Sequence, residues 1–313
     1  MPSLILESGS PDMTELDIEA AAPPQVIAAS ADSPTRRAIR RFLRHRLALL
    51  GLATIIVIVL LAILGDSAAA NRQNLKLGFT NAPPGNGFLL GTDALGRDVL
   101  ARTLVGGRIS LLVALVSVAI ATIIGTTIGV IAGYLGGKVD MVLMRFVDIV
   151  LSFPQIVILL LMAALVGPGL VTLVVIIGAV TWSRGARIVR GQVLALREST
   201  FIEAARVIGV SDGQMMRTHI LPNIIAPLVV FATFGVATVV IFEASLSYLG
   251  LGVQPPTPSW GNMLNLARSV TVLERYTWQW IPPATFIVLM VLAVNFVGDG
   301  LRDAFDQRAT SER

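Results

Sequence analysis

Residues 200–223 read TFIEAARVIGVSDGQMMRTHILPN, a polar stretch with two helix starts and one helix stop inside a chain that is otherwise too apolar for water. Thr200-x-x-Glu203 has the form of a capping box, in which the Thr side chain accepts a backbone N–H of the first turn and Glu203 reaches back to the cap. The pattern predicts a helix over 201–208, with Gly209 as the left-handed residue that stops it. Ser211-x-x-Gln214 repeats the box and predicts a second helix toward Ile220. Leu221-Pro222 ends that helix and opens the next apolar run, since Pro is tolerated in a helix's first turn. Ala204 and Ala205 leave one surface of the first helix nearly flat, so that another backbone can approach closely. A chain reversal does not need so many ordered, charged residues, so the stretch is predicted to be a rigid projecting knob that meets a partner.

The rest of the 313 residues explains why such a knob stands out. The chain is 54% hydrophobic and 14% charged, with a mean hydropathy of +0.77, against roughly 25% charge in soluble domains. Lipid is the solvent this composition fits. A net charge of +4 is too small to speak for nucleic acid. Cysteine is absent, which removes disulfides, thiolate metal sites and cysteine nucleophiles, and His45 and His219 are too few for a histidine metal centre. No metal site or cofactor is expected within the chain.

A spanning helix needs roughly 20 apolar residues to cross about 30 Å. Leu47–Leu64 supplies the first charge-free run, and Ile109–Gly137 the second; the latter is long enough that its helix must tilt or project. Ile149–Ser183 is divided by Gly167-Pro168-Gly169, a tight turn between spans three and four, the fourth reaching full length only with Trp182 and Arg184 at the interface. Ile220–Phe242 and Ile281–Gly298 complete six spans. The expected fold is therefore all-α and integral to the membrane, with the helix–turn–helix between spans four and five. Residues 1–35 read as a disordered tail and 36–108 as a basic segment, the first span and an outer loop. A core of five spans fills 109–306 and carries the loop 200–222, before a short tail over 307–313.

With six spans the termini share a side, and 17 of the 24 Lys and Arg residues fall on that side with the knob. The positive-inside rule makes it the cytoplasm. Trp260, Trp278 and Trp280 precede span six on the outer side, where an aromatic belt is expected. Gly125, Gly129 and Gly133 recur every fourth residue in span two and predict a close helix–helix contact. Asp148 follows Arg145 at pairing distance along a helix; Asp93, Arg97 and Asp98 read as a local hydrogen-bonded turn; Asp299, Arg302 and Asp303 form an inner charge cluster. Glu243 lies near the outer end of span five, where it either lines the path or gate or joins two helices.

On these residues the chain resembles the transmembrane subunits of bacterial ABC importers. Glu203-Ala204-Ala205, then Gly209 and Leu221-Pro222, match the EAA motif of those permeases, with His219 in place of the usual Ile. LGTDALGRDVLARTLVGGRISLLV (Leu90–Val113), EASLSYLGLGVQPPTPSWGNML (Glu243–Leu264) and GDGLRDAFD (Gly298–Asp306) are similar to the dipeptide and oligopeptide branch, C-type subunit, over residues 36–306. The resemblance implies a bacterial cytoplasmic membrane protein that passes peptides by alternating access. It also implies a second, B-type permease, an extracytoplasmic binding protein, and two ATP-binding subunits that hold ATP and Mg. The loop residues Glu203, Ala204, Ala205, Gly209, Ser211, Asp212, Leu221 and Pro222 would couple to those subunits. Relatives of this kind also carry nickel chelates or other small solutes.

What is missing agrees with that division of labour. A P-loop needs GxxxxGK followed by Ser or Thr, and the nearest string, Gly136-Gly137-Lys138-Val139, lacks both the first Gly and the hydroxyl. GxSxG and HExxH are absent, which removes the usual hydrolase centres. A DNA-binding helix–turn–helix would need basic residues for phosphates, whereas Glu198, Glu203 and Asp212 outnumber Arg206 and Arg217. An ion-coupled transporter would place ionisable groups at the midplane; the acids here cluster near span ends.

Overall fold

The computed structural model describes residues 34–69, 77–85 and 87–306. The expected disorder of 1–35 and the tail 307–313 lie outside these residues, apart from the first turn of a helix that opens at Pro34. Among the described residues the protein is helical, without strands. The helices are α1 (Pro34–Phe42), α2 (Arg46–Ala69), α3 (Val99–Leu135), α4 (Gly137–Ser152), α5 (Gln155–Val166), α6 (Leu170–Arg197), α7 (Thr200–Val207), α8 (Asp212–Gln214), α9 (Leu221–Asn223), α10 (Ile225–Tyr248), α11 (Trp260–Leu264), α12 (Val270–Arg275) and α13 (Ile281–Phe305). Five of them, α2, α3, α6, α10 and α13, are long and apolar enough to cross a membrane, and the pair α4–α5 is the sixth when its two parts, bent by 84°, are counted together.

The spans that most exceed their charge-free runs are α3 and α6. Helix α3 starts at Val99 instead of near Ile109, because Asp98 caps it by accepting from Leu100 N at 2.9 Å and Ala101 N at 3.3 Å. Its early residue Arg102 is buried beside Asp93, 3.5 Å from the carboxylate, so a charge inside the helix does not mark its end. Asp93 also accepts from the Leu95 and Arg97 backbone N–H groups and pairs with Arg97 Nε at 2.7 Å, as the local turn required. Helix α6 does not stop at Ser183 but continues to Arg197. Its arginines bind α4: Arg190 forks onto Asp140 at 2.5 and 2.6 Å, and Arg187 meets Asp148 at 2.6 Å. Asp148 thus pairs across helices, not with Arg145 along its own.

Local chemistry explains the breaks. Phe153 is extended (φ −100°, ψ 141°) because Pro154 disfavours the helical region for the residue before it, and the chain bends there. The turn expected at Gly167-Pro168-Gly169 separates α5 from α6. Among the described residues helices α3 and α6 share the broadest contact, and α2, α10 and α13 close the bundle around them. The core joins Val113 and Val118 of α3, Leu159 of α5, Ile177 of α6, Val240 and Leu246 of α10 and Met290 of α13. Large apolar side chains such as Val171 (75% exposed) and Ile123 (67%) face outward, which fits a hydrocarbon surrounding. Near the C-terminus His45 lies 3.6 Å from Asp303 and Arg41 donates to the Asp306 carbonyl at 2.9 Å. These contacts tie the end of α13 to the N-terminal helices, where a cluster among Asp299, Arg302 and Asp303 was expected.

Candidate functional site

The knob is built from α7, α8, a π-helical turn over Met215–Ile220 and α9. Its first cap is Ser199, one residue before Thr200, and neither predicted capping box forms. Because α6 runs to Arg197, only Glu198 and Ser199 separate the helices; the Ser199 hydroxyl turns back to donate to Leu196 O at 2.5 Å, and Thr200 falls inside the first turn. Ser211 does occupy the second cap position, though its side chain makes no cap bond. Gly209 is left-handed (φ +85°). Val210 N reaches Ala205 O at 3.2 Å and Gly209 N reaches Arg206 O at 3.1 Å, the paired bonds of a Schellman stop. The wide π turn precedes Pro222, which lacks an N–H and whose ring crowds the carbonyl four residues back. Span five then begins at Ile225, after Ile224 leaves the helical region, and not at Leu221-Pro222.

One face of this element is buried. Ile202, Ala205, Met215, Ile220 and Ile224 pack on Val130 and Tyr134 of α3 and on Val189 and Val193 of α6. Each fully buried Ile or Met contributes about 1.5–3 kcal/mol relative to exposure. The two alanines are divided: Ala205 joins this cluster and Ala204 is exposed, so they do not form one flat surface. Ile220 supplies the deep apolar contact beside the half-buried His219. A polar pin adds orientation. Tyr134 Oη donates to Asp212 Oδ1 at 2.7 Å, and Arg197 Nη1 donates to the Tyr134 carbonyl at 3.2 Å. Glu203, Gly209, Ser211, Leu221 and Pro222 are exposed, and between them Val207 and Ile208 stand out at 87% and 81% exposure. Tyr134→Phe is expected to loosen the pin by about 1 kcal/mol; amide exchange across 200–214 should accelerate about fivefold, and unchanged exchange would remove the pin from the account.

At the other end of α10, Glu243 is fully buried. Ser110 Oγ of α3 donates to Glu243 Oε2 at 2.9 Å and Ser247 Oγ to Oε1 at 2.8 Å. Ser110 in turn accepts from Trp260 N at 3.1 Å, and Trp260 Nε1 donates to Thr103 O at 2.9 Å. Helix α11 is thereby locked onto α3 and α10. Trp260 is a core residue with no exposure, not part of an interfacial belt; Trp278 and Trp280 remain half-buried. Its sequence neighbourhood gave no sign of this, because the partners Thr103 and Ser110 are about 150 residues away. Glu243→Leu leaves two buried hydroxyls without their acceptor at about 1–3 kcal/mol each. The detergent-extracted protein should melt measurably earlier than Glu243→Gln, which keeps one acceptor; equal melting would refute this.

A third feature is a cavity of about 750 Å³ bounded by α3, α5, α6, α10 and α13. Gln155, Arg184, Phe231, Phe234 and Arg302 are on its wall; Glu243 is not. Gln155 is 8% exposed and its Nε2 has no hydrogen-bond partner, a buried deficit of about 1–3 kcal/mol.

Residues 125–311 match the family model described as binding-protein-dependent transport system inner membrane component, and residues 33–84 match the N-terminal TM domain of oligopeptide transport permease C. A Brucella suis protein whose name describes it as a candidate peptide permease is 45% identical over 281 residues, covering 90% of this chain and 93% of its own. An Escherichia coli K12 oligopeptide transport system permease protein is 43% identical over 272 residues (86% and 89%). A glutathione transport system permease protein from Escherichia coli O6:K15:H31 is 40% identical over 271 residues (86% and 89%). Among solved structures, a chain of an inward-facing methionine ABC transporter gives a TM-score of 0.48 at 23% identity, covering 64% of this chain and 94% of that one.

Proposed function

Since the chain belongs to the family of binding-protein-dependent transport system inner membrane components, we propose that it is the C-type permease subunit of an ATP-binding-cassette importer that carries peptides across the bacterial cytoplasmic membrane. The relatives named for oligopeptide and glutathione transport support a peptide cargo. The observation that carries the mechanism is the knob: a projecting element clamped to the ends of α3 and α6, yet exposing Val207 and Ile208 almost fully. Apolar side chains so exposed on a rigid support are suited to a protein partner. The partner is an ATP-binding subunit, one of two that hold ATP and Mg and supply the work. Glu203, Ala204, Gly209 and Ser211 meet it, Ala205 and Asp212 hold the frame, and Leu221-Pro222 pass the displacement into α10.

In this reading the knob and both termini are cytoplasmic, a B-type permease completes the path, and an extracytoplasmic binding protein delivers the peptide. Closure of the ATP-binding subunits moves the knobs, the two permeases open outward, and hydrolysis resets them. This chain performs no bond chemistry. Purification in mild detergent should co-isolate ATP-binding subunits, and peptide uptake by the reconstituted complex should require both ATP and loaded binding protein. Uptake by this chain alone in liposomes would overturn the reading.

A further inference from the structure

The large cavity has a mixed wall, on which three polar groups stand out beside Thr181, Gln192, Thr238 and Asp306. Gln155 Nε2, at the first residue of α5, is an orphaned donor. Arg184 and Arg302 have no ion-pair partner among the described residues. The contrast along α6 is informative: Arg187 and Arg190 are committed to Asp148 and Asp140, and Arg197 to the Tyr134 carbonyl, while Arg184 faces the cavity instead. Asp306 is the one acid on the wall, and its main-chain carbonyl accepts from Arg41. Phe231 and Phe234 of α10 contribute apolar rings between the polar groups.

We propose that this cavity is a holding site for the carboxyl end of a peptide in transit, with Arg184 and Arg302 binding the terminal carboxylate and Gln155 Nε2 donating to a peptide carbonyl. This rests on the peptide-permease reading above. A guanidinium fork matches a carboxylate, a primary amide N–H matches a carbonyl, and phenyl walls accept side chains of many kinds without fixing one sequence. The volume falls within the range of roughly 300–1,000 Å³ typical of small-ligand sites. Both arginines are exposed and so remain partly hydrated, which keeps the grip weak; a transit site must release what it binds. An anionic lipid headgroup shares the charge chemistry but carries no peptide carboxylate.

The test uses the complete importer in proteoliposomes with tritiated tri-alanine and its C-terminal amide, uptake being expressed per assembled complex. The ratio of acid to amide uptake is taken against the same binding protein throughout, so any change in it belongs to the permease. Arg184→Gln with Arg302→Gln should lower uptake of the acid about tenfold and bring it level with the amide, and Arg184→Lys with Arg302→Lys should restore part of the difference. Gln155→Leu should slow both probes alike. An acid-to-amide ratio unchanged in the Gln pair overturns the site while leaving the permease reading intact, and assigns the arginines to lipid or to structure. Failure of the parent complex to import either probe overturns both together.

Discussion

Gly129→Leu is expected to leave little of the protein stable enough to survive extraction as an assembled permease. A β-carbon at position 129 would lie 2.6 Å from the Ala186 carbonyl oxygen and 2.7 Å from Val189 Cβ. Its neighbours on the same stripe are equally tight: Gly125 would meet Trp182 O at 2.8 Å and Gly133 would meet Val193 Cβ at 2.9 Å. The opposing atoms include helix backbone, which cannot swing aside. Over-packing of this kind costs typically about 1–3 kcal/mol and occasionally more. In lipid the loss is harder to offset, because helices associate by close packing and not by escape from water. The strain also reaches the knob. Val130, Val189 and Val193, flanking these contacts, form the floor on which Ile202 and Ala205 rest, so separating α3 from α6 would unseat α7. Thermal melting of the detergent-extracted complex, followed by size exclusion, measures the effect. Gly191→Ala is the control: it is exposed on α6 with nothing near its β position, and is expected to be neutral or to gain about 0.5–1 kcal/mol of helix stability. A Gly129→Leu variant that melts with its parent would show that α3 and α6 do not depend on this contact.

The α3 side of the α3–α6 contact was legible, though not its partner, because its cause is local: three glycines at intervals of four fix which face is bare. Gly209 was legible for the same reason, since a glycine after a short helical run has one common use. Errors arose where a distant partner altered the meaning of a residue. The charge-free run stops at Arg108, yet α3 reaches back to Val99 because Asp98 caps it and Arg102 is buried against Asp93. Arg187 and Arg190 look like a cytoplasmic loop until α4 supplies Asp148 and Asp140, which let α6 continue as a helix beyond its apolar part. Trp260 looks interfacial beside Trp278 and Trp280, yet its indole N–H and main-chain N–H are both satisfied inside the bundle. The first capping box failed for a related reason: the boundary of α6 decided where α7 could start. Sequence spacing thus located the knob and the α3 face of the bundle's broadest contact, whereas the cavity with Gln155, Arg184 and Arg302, drawn from separate helices, had no local signature.

Gly209→Val is expected to uncouple the assembled complex without dissolving it. The position has φ +85°, and no atom lies within 4 Å of where a β-carbon would stand, so space is not the obstacle. The obstacle is the backbone: a left-handed conformation costs an ordinary residue roughly 1–2 kcal/mol, and a β-branched one is a marked outlier there. Val would relieve that strain by opening the Schellman turn, breaking the bonds from Val210 N and Gly209 N to the end of α7. Helix α7 itself stays anchored through Ile202 and Ala205, and the second half through Met215 and Ile220. The expected change is therefore one of angle: Val207 and Ile208 shift relative to Asp212 and its pin to Tyr134. Uptake in the reconstituted importer should fall more than about tenfold, with ATP-binding subunits still co-purifying and hydrolysis no longer responding to loaded binding protein. Gly209→Asn separates the causes, because Asn enters the left-handed region readily while still adding a side chain. If Asn retains most of the transport that Val loses, the backbone angle carries the coupling. Equal impairment of the two would move the cause to contact between position 209 and the partner, and full transport by a stably assembled Val variant would remove the knob from the coupling path altogether.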